Sequence, residues 1–286
     1  MFGSDVHVHT TVIGGDDPDV AVVGGVHGDE PSGPRAIQYV LDREPDLERA
    51  VKFVLANPAA AVAHRRYLDA DLNRSFPGDP DADAREERLA AELRDELADC
   101  LVLSIHSTHS AVEPLAFVSG DNPEAQAAAS RLPVANVVNH DPAVDGAFAS
   151  TEGVVSVEAG RQLTEDATTN AAKLVRAFLR LTGALPGEPK SADPDFYTIR
   201  DAVEKPAGED AQLLADNFER VDAGDAYAET ADEQFVADEA FYPVLMSETG
   251  YEDIFGYRGE FVGETIAEAR EAWGTPPEGE NGGTAE

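Results

Sequence analysis

Residues 20–34 of this 286-residue chain read VAVVGGVHGDEPSGP. The apolar run at 20–23, which ends in two glycines, is typical of a buried strand, and Pro31 favours the start of a helix. The pattern therefore predicts that His27 and Glu30 lie on the turn at the carboxyl end of a strand, where open α/β sheets bind ligands. Histidine and glutamate both bind zinc, and a catalytic zinc takes three protein ligands and leaves one position for water.

The chain carries a large excess of acid, since 56 Asp and Glu residues against 21 Lys and Arg give a formal net charge of −35. A field of that sign argues against nucleic acid or an anionic membrane as a partner. The acidic residues are spread along the chain, which is typical of a solvated surface. Because salt screens self-repulsion and the sequence holds only four lysines, we expect a halophilic protein from a high-salt cytoplasm.

Cysteine usage and the lack of membrane signals also favour the cytoplasm. Cys100 is the single cysteine, so no intramolecular disulfide can form, and we expect it to be a small buried apolar residue. No apolar run reaches the roughly 20 residues of a membrane span. Residues 1–10 lack the basic and apolar regions of a signal peptide. Whether the chain forms a homo-oligomer stays open.

Short apolar runs alternate with helical patterns in the first two thirds of the chain. The predicted strands cover residues 6–13, 20–25, 52–56, 100–105, 115–119, 134–138 and 153–157, and the predicted helices cover residues 31–43, 82–99 and 164–182. This alternation predicts an α/β fold with a mainly parallel, mixed sheet flanked by helices.

A segment rich in proline and glycine, residues 183–194, marks a domain boundary. We expect a catalytic domain over residues 1–190 and a smaller β-rich C-terminal domain over residues 191–273. Residues 274–286 have nothing to bury and are expected to form a disordered acidic tail.

Two further segments hold polar side chains that suit a site. Residues 64–78, HRRYLDADLNRSFPG, form a long connection with apolar anchors, so we expect an ordered functional loop. His7 and His9 form an H-x-H pair, which supplies two metal ligands in barrel amidohydrolases. The alternative interpretation, which we prefer, is that strand alternation places both on the polar face of an edge strand.

Two later strands also end in residues that suit a zinc site. His106 follows the strand at 100–105, and Glu158 follows the strand at 153–157. His27, Glu30 and His106 would leave a tetrahedral zinc one open position, and Glu158 would then serve the bound water as a base. Each residue alone has a structural alternative, but four of them at the carboxyl ends of strands favour a metal site.

Several motifs resemble one known family, the aspartoacylase/succinylglutamate desuccinylase family. They are G-G-V-H-G-D-E, R-Y-L-D-A-D-L-N-R-S-F, S-I-H-S-T and V-E-A-G in this order, and F-Y-P-V-L-M-S-E-T-G-Y near the C-terminus. The resemblance implies a zinc-dependent amidohydrolase on a zinc-carboxypeptidase-like domain. It implies zinc binding by His27, Glu30 and His106, general acid/base catalysis by Glu158, carbonyl polarisation by Arg66, substrate-carboxylate binding by Asn73 and Arg74, and a substrate-pocket role for Tyr251.

One position departs from the family pattern. Family members that cleave acetylaspartate carry an arginine ten positions before the catalytic glutamate, and Phe148 stands at that position here. Arg161 is either a substitute from another direction or a surface arginine. The segment around His140 echoes a family loop without an assigned role. Specificity for an acidic amino acid therefore stays open.

The leading hypothesis is a zinc-dependent hydrolase that cleaves the amide bond of an N-acyl amino acid or a similar small carboxylated substrate. One alternative is a zinc carboxypeptidase that acts on peptides, and another is a binding homologue without turnover. A closed pocket capped by residues 195–270 would favour small substrates, whereas an open groove would favour peptides. The presence of all four core residues argues against the binding homologue.

Overall fold

The computed structural model describes residues 7–110, 113–144, 146–189, 192–206, 211–250 and 253–274. Within these ranges the strands are β1 (His9–Ile13), β2 (Val20–Gly24), β3 (Val51–Leu55), β4 (Leu101–Thr108), β5 (Leu115–Val118), β6 (Asn136–Asn139), β7 (Val154–Arg161), β8 (Asp195–Glu204), β9 (Gln212–Leu213), β10 (Ala226–Glu229), β11 (Gln234–Val236), β12 (Tyr242–Val244) and β13 (Ile254–Gly263). The helices are α1 (Ser32–Leu41), α2 (Pro58–Ala63), α3 (Arg85–Glu96), α4 (Pro123–Ala129), α5 (Glu165–Leu181) and α6 (Ile266–Trp273). Over the same ranges, no helix has the length and apolar character needed to cross a bilayer.

Ten of the described strands form one main sheet in the order β1-β3-β2-β4-β7-β5-β6-β8-β13-β12. β3, β2, β4 and β7 run parallel, as do β5, β6 and β8. β5 is antiparallel to β7, and the strand pairs at both edges are antiparallel. The predicted fold class, a mainly parallel mixed sheet with flanking helices, is confirmed. The barrel interpretation of His7 and His9 is wrong, because this sheet has two edges and both histidines are exposed.

The core occupies both faces of β2, as expected for a central parallel strand. Val20 and Val22 belong to the apolar cluster that α1 and α5 cover. Ala21 and Val23 point to the opposite face and join the cluster that α3 covers. Because successive side chains of a strand alternate between faces, one apolar run fixes the position of β2 from both sides.

The helices differ from the prediction in their ends and in number. The predicted helices at 31–43, 82–99 and 164–182 correspond to α1, α3 and α5, which are shorter by one to three residues at each end. The short helices α2 and α4 were missed. Each begins after an asparagine, Asn57 or Asn122, whose side chain accepts a backbone N–H from the first turn. Six or seven residues are too few for a helical period to stand out.

Most of the C-terminal strands extend the main sheet. β8 pairs with β6, and β13 and β12 follow it, whereas β9, β10 and β11 form a separate three-stranded sheet. A smaller β-rich C-terminal part is therefore present, although the predicted boundary at residues 190/191 falls between α5 and a strand of the main sheet. Of the predicted tail, only Gly274 lies within the described residues, where it ends α6.

Gly28 allows the turn that carries His27 and Glu30 to pack directly on α2. A Cβ atom on Gly28 would overlap the backbone of Ala60 and Ala61, which cannot move aside as a flexible side chain would. The Gly28 N–H also donates a hydrogen bond to the Arg66 carbonyl oxygen at 3.1 Å. Because Gly28 has no side chain, this turn can lie against α2 and form the hydrogen bond to the loop at residues 64–78.

We expect Gly28→Ala to lower the free energy of unfolding by about 1–3 kcal/mol, because an added methyl group must displace backbone. Urea denaturation measures the loss. Gly183→Ala shows the cost of backbone strain alone, since its added Cβ meets nothing within 4 Å and only its φ of +72° adds strain. A loss below about 1 kcal/mol at Gly28 would contradict the steric explanation.

Candidate active site

Three buried side chains converge where β2 and β4 end. His27 and Glu30 lie on the turn after β2, and His106 lies near the carboxyl end of β4, two residues before the strand ends. β2 and β4 are parallel, with Gly24 opposite Ile105, so the turn lies beside His106. One ligand atom from each of the three residues lies within 4.8 Å of the others. The structure thus brings together the three residues that the sequence predicts as zinc ligands.

The carboxylate of Glu30 lies between the two imidazole rings. Its Oε1 is 2.6 Å from Nδ1 of His27, and its Oε2 is 3.2 Å from Nδ1 of His106. The backbone N–H of Ser107 also donates to Oε2 at 3.0 Å. The two Nδ1 atoms and the carboxylate therefore face one another.

The Nε2 atoms of His27 and His106, on the side of each ring away from Glu30, also have hydrogen-bond partners. Nε2 of His27 lies 3.1 Å from Oδ1 of Asp71, and Nε2 of His106 lies 3.2 Å from Oγ of Ser104. Metal-binding histidines are commonly oriented by such a partner on the second nitrogen. The site therefore offers two imidazole nitrogens and one carboxylate, and the second nitrogen of each ring has its own partner. This donor set fits an open zinc site.

The histidines and carboxylates of this group stabilise one another's charged forms and so shift one another's pKa values. Burial by itself lowers the pKa of His27, but the carboxylates of Glu30 and Asp71 outweigh it and raise this pKa to about 9. Burial favours the neutral form of Glu30, yet the neighbouring His27 and His106 hold its pKa well below the usual range. Burial lowers the pKa of His106. Glu30 is therefore ionised at physiological pH and supplies negative charge to a cation at this position.

Glu158 lies on β7 directly across from His106 on β4. Its Oε2 atom is buried and makes no hydrogen bond to any residue that the structure describes. Burial, together with the negative charge of Glu30, raises the pKa of Glu158 to about 8. A carboxyl group that changes its protonation near neutral pH inside a cleft is typical of acid-base catalysts.

Asp71 connects the loop at residues 64–78 to the group formed by His27, Glu30 and His106, which we call the histidine cluster. Its Oδ2 accepts from Nε and Nη2 of Arg66 at 3.1 and 3.0 Å, while its Oδ1 contacts His27. Oδ1 also accepts the N–H of Asn73 at 2.9 Å and so caps the short 3₁₀ helix Leu72–Arg74. One carboxylate therefore fixes an arginine, a helix end and a histidine ring.

Asn73 and Arg74 follow in the same short helix. Oδ1 of Asn73 accepts the backbone N–H of Phe148 at 3.0 Å, which orients the side-chain amide. Nη1 of Arg74 donates to the Asn73 carbonyl oxygen at 2.8 Å. Both side chains line the same cavity as the histidine cluster.

Glu86 of α3 holds the first part of the loop in place. It is fully buried, and its Oε1 accepts from the Asn57 side-chain amide at 3.1 Å and from the Leu68 N–H at 2.8 Å. Its Oε2 accepts the N–H groups of Asp69 and Ala70, both at 3.1 Å. Four donors on one carboxylate satisfy backbone groups that an irregular loop would otherwise bury without partners.

A cavity of about 860 Å³, counting its open mouth, joins these groups. The predicted site residues that line it are His27, Glu30, Arg66, Asn73, Arg74, His106 and Glu158. Tyr251 lies outside the described residues. Tyr257 of β13, which the sequence did not single out, lines the cavity from the C-terminal side.

The position that departs from the family pattern does not face this cavity. Phe148 is fully buried and stacks on Phe76, with ring centroids 4.7 Å apart. Its neighbours Ala147 and Ala149 line the cavity instead. Arg161 is exposed and lines an adjoining groove, not this cavity. Among the described lining residues the arginines are Arg66 and Arg74 of the loop at residues 64–78, and the segment around Phe148 adds no further one.

Three residues that position or line the site had no role assigned from the sequence. Asp71 stands inside the quoted D-A-D-L-N-R segment, so its motif was visible but its contact with His27 was not. Glu86 belongs to an acidic helix and looked solvated. His140 was noticed without a role, yet it is buried and lines the cavity.

The chain is similar in sequence to one known family of proteins. A family model for the succinylglutamate desuccinylase/aspartoacylase catalytic domain matches residues 16–182. A probable aspartoacylase of Parasynechococcus marenigrum (strain WH8102) is 35% identical over 126 residues, or 40% of this chain and 42% of the relative. The N-acyl-aromatic-L-amino acid amidohydrolase (carboxylate-forming) of Rattus norvegicus is 50% identical over 60 residues, or 20% and 19%. These alignments span less than half the length of the two curated relatives.

A solved structure shows the same fold over most of the chain. The ectoine utilization protein EutE (DoeB) from Ruegeria pomeroyi, in its product-bound form, superposes with a TM-score of 0.73 at 22% identity. The superposition covers 87% of this chain and 88% of that protein.

We expect Glu86→Gln to lower the urea midpoint, with a loss of about 1–3 kcal/mol, because a buried NH₂ group would then face backbone donors. Equilibrium unfolding measures this loss. Glu87→Gln is the matched control, since Glu87 lies beside Glu86 in α3 and is partly exposed. Equal midpoints for the two variants would show that the four hydrogen bonds do not stabilise the loop.

Proposed function

The chain belongs to the succinylglutamate desuccinylase/aspartoacylase family, and on this basis we propose that it is a zinc-dependent hydrolase acting on an N-acyl amino acid or a similar small carboxylated substrate. The bond cleaved is the amide between the acyl group and the amine. The observation that best supports the proposal is the carboxyl group of Glu158, whose buried Oε2 atom has no hydrogen-bond partner among the described residues and which shares a cavity with the histidine cluster.

His27, Glu30 and His106 would hold the zinc ion through two Nδ1 atoms and a carboxylate. When bound there, zinc lowers the pKa of its water to about 7 and polarises the acyl carbonyl. Asp71 and Ser104 would keep the two rings in place through their Nε2 atoms. A nearby cation would also favour the ionised form of Glu158.

Glu158 would act as the general base and then as the general acid. Its carboxylate accepts a proton as the water oxygen forms a bond to the acyl carbon. It then gives that proton to the amine nitrogen as the carbon–nitrogen bond breaks. The products are a carboxylic acid and a free amine, so the atoms of one water molecule are accounted for.

The loop at residues 64–78, which we call the arginine loop, supplies positive charge at two places. The Arg66 guanidinium, held by two hydrogen bonds to Asp71, would stabilise the negative charge that develops on the acyl oxygen. Arg74 and the Asn73 amide would bind the substrate carboxylate, which suits the planar fork of an arginine.

The cavity favours a small substrate over a peptide. Residues of the C-terminal part, among them Ile199, Leu245 and Tyr257, form its far side. A peptide would need an open path across that side. The similarity to the rat N-acyl-aromatic-L-amino acid amidohydrolase also supports a small acylated amino acid as the substrate.

We expect Glu158→Gln to reduce hydrolysis by about 10²–10⁴-fold, because the amide cannot shuttle the proton. The assay uses zinc-loaded protein in high salt with a panel of N-acyl amino acids, and metal analysis should find unchanged zinc. Glu152→Gln, at an exposed position six residues earlier, is the control. Full activity in Glu158→Gln would remove Glu158 as the base. A wild-type protein that hydrolyses no member of the panel would overturn the proposed function.

We expect Asp71→Asn to weaken zinc binding by about 10–100-fold, because His27 would lose the carboxylate that orients its ring. A competition titration against a metal-binding chromophore measures the affinity without any substrate. The exposed Asp95, changed to Asn in the same way, serves as the control. Equal affinities for both variants would show that Asp71 does not act through His27.

A further inference from the structure

His140 is a buried side chain that the proposed mechanism does not use. It follows β6 directly, is only 3% exposed and lines the cavity. Neither ring nitrogen makes a hydrogen bond to a described residue. Buried polar groups in native proteins nearly always have partners, so each exception calls for an explanation.

The charged groups around His140 do not satisfy its ring. Oδ1 of Asp141 is 4.0 Å from Nδ1, which is too far for a hydrogen bond. Oδ2 of Asp141 accepts from Ser119 and Gly120 instead. Burial and the positive charge of Arg74 lower the pKa of His140, although the negative charge of Asp141 opposes them. The ring is therefore neutral at physiological pH and offers one donor and one acceptor.

Besides polar side chains such as Ser156 and Ser247, the cavity lining includes an apolar surface. We call this surface the apolar wall, and it consists of Phe117, Val144, Ala147, Ala149, Ile199 and Leu245. Four of these residues, Phe117, Val144, Ile199 and Leu245, belong to or pack against one hydrophobic cluster beneath the surface. The charged lining residues lie instead in the histidine cluster, in the arginine loop and at Glu158.

The apolar wall adjoins the residues proposed to bind the substrate carboxylate. Phe148, which lies between two alanines of the wall, is hydrogen-bonded through its N–H to Asn73. The backbone of Gly146, just before the wall, accepts the N–H of Phe76 in the arginine loop at 3.2 Å. In an amino acid, the carboxylate and the side chain are attached to the same carbon atom. A carboxylate held at Asn73 and Arg74 would therefore keep the side chain within reach of this wall.

We propose that the apolar wall is the subsite for an uncharged amino-acid side chain and that His140 is a specificity-determining residue that hydrogen-bonds to a polar atom of that side chain. The proposal rests on the proposed function, because it assumes an N-acyl amino acid as the substrate. An acidic side chain would lose its water against the wall, while Arg74, the cation that acts on His140, is already proposed to bind the substrate carboxylate. An uncharged side chain with an apolar body and one hydroxyl group would pack against the wall and form a hydrogen bond with His140.

The test compares N-acetyl-L-tyrosine, N-acetyl-L-phenylalanine and N-acetyl-L-aspartate as substrates of the zinc-loaded protein. We expect kcat/KM for the tyrosine compound to exceed that for the phenylalanine compound by about tenfold, the effect of one hydrogen bond. The aspartate compound should be the poorest by a further 100-fold or more. Binding of the product amino acids, followed by thermal shift, should show the same order without turnover.

His140→Leu should abolish the preference for tyrosine while leaving kcat/KM for the phenylalanine compound within about threefold, because only the hydrogen bond is lost. His140→Gln, which keeps a donor and an acceptor, should retain part of the preference and serves if the leucine variant does not fold. His9→Leu, at an exposed position of β1, is the matched control and should change none of the three values.

The outcomes separate the two proposals. A wild-type preference for the aspartate compound would overturn the side-chain subsite and leave the hydrolase proposal standing. A tyrosine preference that persists in His140→Leu would overturn the role of His140. Failure to hydrolyse any of the three compounds, together with no thermal shift by their products, would overturn both proposals.

Discussion

The shared register of β2, β4 and β7 is the constraint on which the candidate site depends. Gly24 lies opposite Ile105, and Ile105 lies opposite Val157, so the residues that follow these positions meet at one edge of the sheet. A slip of one residue in β4 would turn His106 to the other face. The buried apolar side chains on both faces hold this register. The site geometry is therefore set by the packing of the core and not by the polar residues themselves.

Buried carboxylates provide the next level of positioning. Glu30 holds the two Nδ1 atoms, Asp71 holds His27 and Arg66, and Glu86 holds the backbone of residues 68–70. Each carboxylate is satisfied by several donors, as burial of a charge requires. In a chain with so much exposed acid, these three differ from the rest only in their surroundings. Composition could not distinguish them, because identical side chains serve as solvated surface elsewhere.

The sequence predicted the fold class and the charged residues of the candidate site because both depend on short local patterns. An apolar run followed by glycine identifies the end of β2, after which His27 and Glu30 lie. The apolar runs before His106 and Glu158 identified two more strands, although β4 and β7 continue for two and three residues beyond these side chains. Contacts between distant segments were out of reach. Glu86 bonds residues 16 to 29 positions away, and α2 and α4 gain their helical form from asparagine caps and packing. His140 could be noticed, but its lack of partners is a property of the folded state.

The main sheet runs without interruption from β4 and β7, which carry His106 and Glu158, through β5 and β6 to β8, which carries Ile199 of the apolar wall. The groups proposed to react and the surface proposed to select therefore share one hydrogen-bonded framework. The conformational entropy of arranging them is lost when the chain folds and not when a ligand arrives. Ligands that differ only at the wall should accordingly differ in how long they stay bound more than in how fast they associate.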